Sequence, residues 1–253
     1  NMVAYGSWPK NVLKNAKPTI YSWNESNAIG DYWQYEALPK NAKAVETVGY
    51  WVRIESNVEF SLDLPLKKAE SDSLSWTVEK SFSGWNMLAN PYSWNLYVGS
   101  VDGFKSPEDE TSPIWHWNNI TARYDIIDTL LANEAFWIQV DRKSTISISS
   151  KPVFPAVKAN SAAKKSSLLK SATKDSWSMM LVATTEDGVA DSWNVLGVGS
   201  KNIAIAEPPA GMESAVGVSF VGEDNAMLAK RILAKASSEE YTWKVQLNAS
   251  QSG

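Results

Sequence analysis

The sequence SGWNMLANPY at residues 83–92 determines the organisation of this chain, because a second version of it occurs elsewhere in the sequence. The first six residues, NMVAYG, match residues 86–91 once the opening Gly84-Trp85 is left out. We therefore expect the chain to begin inside the first of two copies. Because two units are too few to bury the faces of an open solenoid, we predict an internally duplicated domain.

Two further landmarks support the duplication. IYSWN at residues 20–24 matches IWHWN at 114–118, and GYWVRI at 49–54 matches AFWIQV at 135–140. The spacing between copies changes only between landmarks, where the loops differ in length. A folded repeat tolerates such insertions at low cost. We expect the first copy to span residues 1 to about 64 and the second copy to span residues 84 to about 150.

Alternating apolar and polar residues predict strands throughout both copies. Residues 58–64 and 74–78 alternate with a period of two. The same pattern places Trp51 and its counterpart Trp137 on the more polar sides of their strands. A short helical turn is expected only at Tyr124–Leu131.

Composition divides the rest of the chain. Residues 152–175 are rich in Pro, Ala, Ser and Lys, as in an interdomain linker, and Trp177 opens a further series of short strands. We predict a duplicated domain over 1–154, a linker over 155–175 and a second domain over 176–253. The predicted fold is all-β: an internally duplicated β-barrel or sandwich, followed by a small antiparallel β-sandwich.

Charge and residue content exclude several classes of function. The formal net charge is −4, which does not favour binding to nucleic acid. The chain has no cysteine, so disulfides, thiolate catalysis and cysteine-bound zinc are excluded. No stretch approaches the roughly 18 to 20 apolar residues of a membrane span. The 13 tryptophans are the unusual feature, and they suit sheet faces and aromatic platforms equally.

The repeated motifs resemble a known arrangement. Gly84–Tyr92, together with the aromatic-Trp pairs at 50–51 and 136–137, resembles the duplicated β modules near the C-terminal ends of large secreted, surface-displayed bacterial proteins. The final module, with DSWNVLG at 191–197, EPP at 207–209 and YTW at 241–243, is similar to the sandwich that often follows them in proteins exported by the type IX route. The resemblance implies a bacterial extracellular or cell-surface location. It also implies that the partners are other domains of one multidomain parent, which carries its enzymatic or adhesive part elsewhere.

No pattern for catalysis is evident. His116 is the only histidine, and its counterpart in the first copy is Ser22, so the repeat does not need an imidazole there. We interpret His116 as a surface or hydrogen-bonded strand residue. Nucleophile-elbow and phosphate-loop patterns are missing from the sequence. The expected function is therefore a non-catalytic structural or display module, with a hydrolase fragment as the least favoured reading.

A carbohydrate-binding module that uses loop aromatics is the alternative. The recurring tryptophans are expected first of all to pack in the core, but those near predicted loop tips suit stacking on sugar rings. Asn90 and Lys10 are neighbouring polar residues that we expect to reach sugar hydroxyls. The candidate ligand-binding residues are Trp8, Trp94, Trp33 and Tyr92.

No cofactor is expected, although one acidic loop is a weak candidate for calcium. Clustered carboxylates suit this hard cation, but the loop lacks the alternating spacing of a known calcium-binding loop. A solvated acidic loop is the favoured interpretation. The residues concerned are Asp102, Glu108, Asp109 and Glu110.

Overall fold

The computed structural model describes residues 2–4, 19–25, 35–39, 45, 47–53, 73–81, 83–97, 113–118, 123–127, 129–149, 176–186, 188, 190–209, 216–235 and 240–249. Within these ranges the chain is all-β, as predicted, with one 3₁₀ turn at Glu223–Asn225 and no α-helix. The strands are β1 Met2–Ala4, β2 Thr19–Trp23, β3 Tyr35–Ala37, β4 Gly49–Arg53, β5 Ser73–Val78, β6 Trp85–Ala89, β7 Leu96–Tyr97, β8 Ile114–Asn118, β9 Arg123–Ile127, β10 Thr129–Leu130, β11 Ala135–Gln139, β12 Ser144–Ser149, β13 Trp177–Thr184, β14 Ala190–Gly199, β15 Ile203–Ala206, β16 Val216–Val221, β17 Met227–Ala234 and β18 Val245–Ala249.

The duplication predicted from the sequence is present in the strand topology. One four-stranded sheet has the order β1-β4-β2-β3, and another has the order β6-β11-β8-β9. We call them the first-copy sheet and the second-copy sheet. Each landmark occupies the same place in its sheet, and the strand registers agree. The paired residues are Met2 and Tyr21 opposite Trp51, and Met87 and Trp115 opposite Trp137.

Strands β6 and β11 of the second-copy sheet are buried on both faces. Along β6 and β11 every residue but Gln139 is buried, although successive side chains point to opposite faces. One face is covered by the antiparallel ribbon of β5 and β12, which provides core residues on the side of Leu88 and Phe136. The predicted alternation of β5 is confirmed, since Leu74, Trp76 and Val78 are buried and the residues between them are exposed.

The two copies approach each other closely at the start of β4. Val48 forms an isolated bridge with Leu88, and the amide of Ala89 donates to the carbonyl of Thr47 at 3.0 Å. A Cβ on Gly49 would lie 2.6 Å from Cγ of Met87. The position therefore has no space for a side chain.

Trp51 and Trp137 are both buried, as expected for the recurring tryptophans, although the alternation places them on the more polar sides of their strands. Other parts of the first unit cover those sides. One sequence prediction is corrected here. The described residues of Tyr124–Leu131 form no helical turn, because most of them lie in β9 and in β10, and β10 pairs with β7. The strand predicted at 58–64 lies outside the described residues.

The chain divides into two compact units, the first formed by 1–116 and 127–156 and the second by 117–126 and 157–253. The predicted linker, 155–175, lies outside the described residues. In the second unit the sheet order is β13-β14-β17-β16-β18, with β15 also paired to β17. The pairing of β14 with β17 is parallel, so this sheet is mixed rather than antiparallel throughout as predicted. The Tyr124 hydroxyl in this unit donates to the carbonyl of Pro209 at 2.8 Å.

The described residues contain no helix of the length and apolarity that crossing a membrane requires.

Candidate functional site

An aromatic cluster lies between the two copies in the first unit. We call it the Trp137 cluster; its members are Trp23, Tyr35, Trp51, Trp85 and Trp137. Trp137 is fully buried, and the ring of Trp23 meets it edge to face at 4.9 Å between centroids with an interplanar angle of 90°. Trp85 and Tyr35 approach the same indole at 6.3 and 6.4 Å. Such perpendicular contacts are a favoured packing of aromatic rings, so the cluster is suited to holding the copies together.

One aromatic contact recurs in both copies with nearly the same geometry. Trp23 and Tyr35 lie 5.2 Å apart at 72°, and Trp117 and Tyr124 lie 5.0 Å apart at 72°. Each pair joins the end of a landmark strand to the strand that follows it. The repeated Trp in the WN motif is therefore a packing residue in each copy.

A polar contact recurs beside it. The Asn24 side-chain amide donates to the carboxylate of Glu36 at 2.9 Å, and that of Asn118 donates to the carboxylate of Asp125 at 3.0 Å. The Asn of each WN motif thus fixes the neighbouring strand of its own copy. A contact between an amide and a carboxylate is a charge-assisted hydrogen bond, which is stronger than a neutral one.

Glu25 connects the first copy to the start of the second. Its carboxylate is buried and accepts hydrogen bonds from the Ser83 hydroxyl, at 2.7 Å, and from the Gly84 amide. Nearby, the Trp23 indole N–H donates to the carbonyl of Trp85 at 2.7 Å. These bonds hold the first residues of the GWN motif against the end of β2.

The loop after β6 contains two of the candidate ligand-binding residues. Tyr92 and Trp94 stack in parallel, with centroids 4.6 Å apart and an interplanar angle of 6°. Tyr92 is only 3% exposed and belongs to the hydrophobic core, whereas Trp94 is half-buried and packs against that core. The expectation of an open Tyr92 ring is therefore corrected, because its neighbours cover it. Trp94 as a ligand-binding residue stays a prediction.

Asn90 fixes this loop from inside. It is fully buried, and its side-chain amide donates to the carbonyls of Trp94, Leu130 and Leu131 at 2.9, 3.2 and 3.1 Å. Its carbonyl oxygen accepts from the Tyr92 amide at 3.1 Å. The expectation that Asn90 would bind sugar hydroxyls is wrong, because both ends of its side chain are used within the fold.

His116 lies on strand β8, as expected from the sequence. Its Nε2 contacts the carboxylate of Glu134, which lies just before β11. The amide of Asn90 donates to the backbone carbonyl of Glu134 at 3.0 Å. The pair thus connects β8 to the turn that positions the Asn90 loop.

The remaining candidate residues for ligand and calcium binding lie outside the part of the chain that the structure describes. Among the described residues, no group of three or more His, Cys, Asp or Glu side chains has the arrangement of a metal site. The residues outside the described ranges are Trp8, Trp33, Asp102, Glu108, Asp109 and Glu110.

An exposed aromatic surface in the second unit is missing from the sequence-based candidates. Trp177 is 43% exposed and Met179 is 54% exposed. Trp177 lies edge-on to Trp243 at 5.6 Å, and the Trp243 indole N–H donates to the carbonyl of Arg231 at 3.2 Å. Strand alternation indicated only that Trp177 and Met179 share a side. It did not indicate whether that side is covered.

A carboxyl pair in the second unit, Glu207 and Asp191, is also missing from the sequence-based candidates. Both residues are partly buried. The Oε2 atom of Glu207 is buried and has no hydrogen-bond partner in the described part of the chain. Asp191 lies near enough for its charge to act on Glu207. Burial, and after it the negative charge of Asp191, raises the pKa of the Glu207 carboxyl well above its ordinary value. The two residues belong to separate motifs, DSWNVLG and EPP, and no local pattern joins them.

Comparison with known proteins returns no match among family models, curated proteins or solved structures. The fold and these sites define an all-β chain with two copies of a tryptophan-rich four-stranded sheet.

Proposed function

We propose that the chain is a non-catalytic structural or display module of a secreted or cell-surface multidomain protein, with other domains of that protein as its partners. The Trp137 cluster carries this proposal. It takes aromatic residues from both copies and uses them for packing. A duplication that buries its recurring aromatics makes a stable spacer, which is what a display module requires.

The recurring polar residues support the same reading. Asn24 and Asn118 bind carboxylates within their own copies. His116, the only imidazole in the sequence, contacts Glu134 at a point where the pair supports the Asn90 loop. Polar groups used in this way fix strands relative to one another. The proposal therefore depends on the roles of these residues and not on the fold alone.

The test combines a glycan array with hydrolysis assays on polysaccharides, using one sample of folded chain. We expect neither binding nor turnover, together with cooperative thermal unfolding. Turnover would contradict the proposal and favour the hydrolase reading. Binding without turnover would favour a carbohydrate-binding module.

Carbohydrate binding is the second candidate because Trp94 stacks in parallel on Tyr92 and is not fully buried. A rigid aromatic face loses little conformational entropy when a flat ligand stacks on it. If Trp94 is a platform, Trp94→Ala should weaken retention on the bound polysaccharide by about 1–3 kcal/mol, using stacking on nucleobases as the nearest measured analogue.

Stability separates the two roles of Trp94. A platform would change the melting temperature little, whereas a core residue would cost roughly 3–5 kcal/mol on truncation. Since Trp94 packs against the core, we expect a clear loss of stability and unchanged retention. Trp177→Ala is the matched control, because it removes an exposed indole from the second unit.

A further inference from the structure

Glu207 occupies an unusual position for a carboxylic acid. It directly follows β15, and its backbone amide donates to the carbonyl of Met227 at 3.0 Å, which fixes it beside the start of β17. The side-chain Oε2 is buried without a hydrogen-bond partner in the described residues. When the carboxyl is ionised, this oxygen loses hydration without compensation, and when the carboxyl is neutral the loss is far smaller.

Asp191 adds a like charge from another strand. It lies on β14, and its Oδ2 accepts a hydrogen bond from the Val218 amide of β16 at 2.7 Å. This bond holds the Asp191 carboxyl against β16. Two neighbouring carboxyls that cannot both ionise cheaply tend to hold one proton between them.

The other charged groups in the surrounding elements are few. On β17, Lys230 lies opposite Ile205, and Arg231 lies opposite Ala204. The Arg231 guanidinium is 3.8 Å from the carboxylate of Glu223. Strand β16 contributes no charged side chain. The charge that acts on the Glu207 carboxyl is that of Asp191.

We propose that Glu207, beside Asp191, is a proton-binding site that makes the second unit sensitive to pH, because loss of its proton loosens the attachment of β15 to β17. The inference is independent of the structural role proposed above. According to this proposal the stability of the second unit depends on pH, which the composition of its strands does not indicate.

The direction of the response follows from linkage. An exposed glutamate in the unfolded chain titrates near 4.5, and the folded-state pKa of Glu207 lies well above this value. Between these two pKa values the folded state binds the proton more tightly than the unfolded state. The stability due to the protonated carboxyl is therefore complete below about 4.5 and is lost as the pH rises through the folded-state pKa.

The experiment compares the full chain with Glu207→Gln, which keeps the neutral shape at every pH. We expect the melting temperature of the wild type to fall relative to this variant as the pH is raised from about 4.5 to about 8.5, by several degrees for a chain of this size. Hydrogen exchange in peptides from β15 to β17 should increase over the same range in the wild type only. Glu223→Gln is the matched control, because its carboxylate is 90% exposed.

A difference in melting temperature between the wild type and Glu207→Gln that stays constant as the pH changes would overturn the proposal. If Glu207→Gln does not fold, carbon-13 NMR titration of the Glu207 carboxyl in the wild type provides the test instead. In that titration Glu207 should lose its proton well above the ordinary range for glutamate, and Asp191→Asn should lower the midpoint while retaining an oxygen for the Val218 amide. Titration of Glu207 in the ordinary range would equally refute the proposal.

Discussion

At the scale of single residues, Gly84 is the position, among the glycines that the structure describes, where a side chain is least tolerable. Its φ is +78°, and a Cβ would lie 2.0 Å from the carbonyl oxygen of Val140. The Val140 amide also donates to the Gly84 carbonyl at 2.8 Å, so the backbone cannot easily move away. The glycine of the GWN motif is thus explained by its conformation and by close contact.

Gly84→Ala should lower the free energy of unfolding by at least about 3 kcal/mol, from left-handed strain of about 1–2 kcal/mol plus the steric clash. Gly188→Ala is the matched control, because Gly188 has a φ of +89° but nothing within 4 Å of a Cβ. It should lose only the strain. Urea unfolding measures both variants, and equal losses would contradict the steric account.

Asn90 allows a similar comparison for hydrogen bonding. Asn90→Asp replaces a buried donor with an acceptor that faces the carbonyls of Leu130 and Leu131, so we expect a loss of about 3–5 kcal/mol in thermal or urea unfolding. In Asn95→Asp the carboxylate can still accept from the Ala132 amide at an exposed site, and the loss should stay below about 0.5 kcal/mol. Similar losses in both variants would show that Asn90 does not fix the loop.

At the scale of elements, β5 and β13 both carry a tryptophan in an alternating strand but have different surroundings. Trp76 on β5 is buried, lies 5.7 Å from Phe136 at a right angle, and donates its indole N–H to the carbonyl of Ala89 at 2.8 Å. Trp177 on β13 is exposed. The contribution of each indole to stability should therefore depend on the element that covers it.

We expect Trp76→Leu to lower the free energy of unfolding by about 2–4 kcal/mol, since it leaves a cavity and an unpaired carbonyl. Trp177→Leu should lower it by less than about 1 kcal/mol. Differential scanning calorimetry of both variants gives the comparison. A larger loss for Trp177→Leu would mean that the exposed surface of β13 has been misassigned.

The same strands show what could be predicted from the sequence. The alternation of β5 and the repeat landmarks were sufficient to predict that strand, the duplication and the all-β class. These features depend on patterns that are visible within one sequence. The burial of Trp51 and Trp137 agrees with the expectation that the recurring tryptophans pack in the core. The local strand pattern alone indicated the more polar side, because the residues that cover these indoles are distant in sequence. The parallel pairing of β14 with β17 was missed for the same reason. At the candidate site, local sequence indicated the Trp94 loop but gave the wrong role for Asn90, whose partners are some 40 residues away.

At the scale of the whole molecule, the duplication explains how the first unit is stabilised. Each copy forms a four-stranded sheet of the same topology. The copies contact each other through Gly49, through Glu25 and through the Trp137 cluster. Stability that depends on such contacts should be shared between the copies, so the first unit should unfold as one cooperative body.

The most direct test of this account is a double-mutant cycle between Trp23 of the first copy and Trp137 of the second. Trp23→Leu, Trp137→Leu and the double variant are compared with the wild type by urea unfolding. We expect a coupling energy of about 0.5–1.5 kcal/mol, as for other edge-to-face aromatic pairs. A second cycle, between Trp23→Leu and Trp76→Leu, is the control. Trp76 packs on Phe136 at the opposite face of β11, so the decreases in the free energy of unfolding of these two variants should add. Additive losses for Trp23 and Trp137, within about 0.3 kcal/mol, would contradict the claim that the repeated tryptophans hold the two copies together.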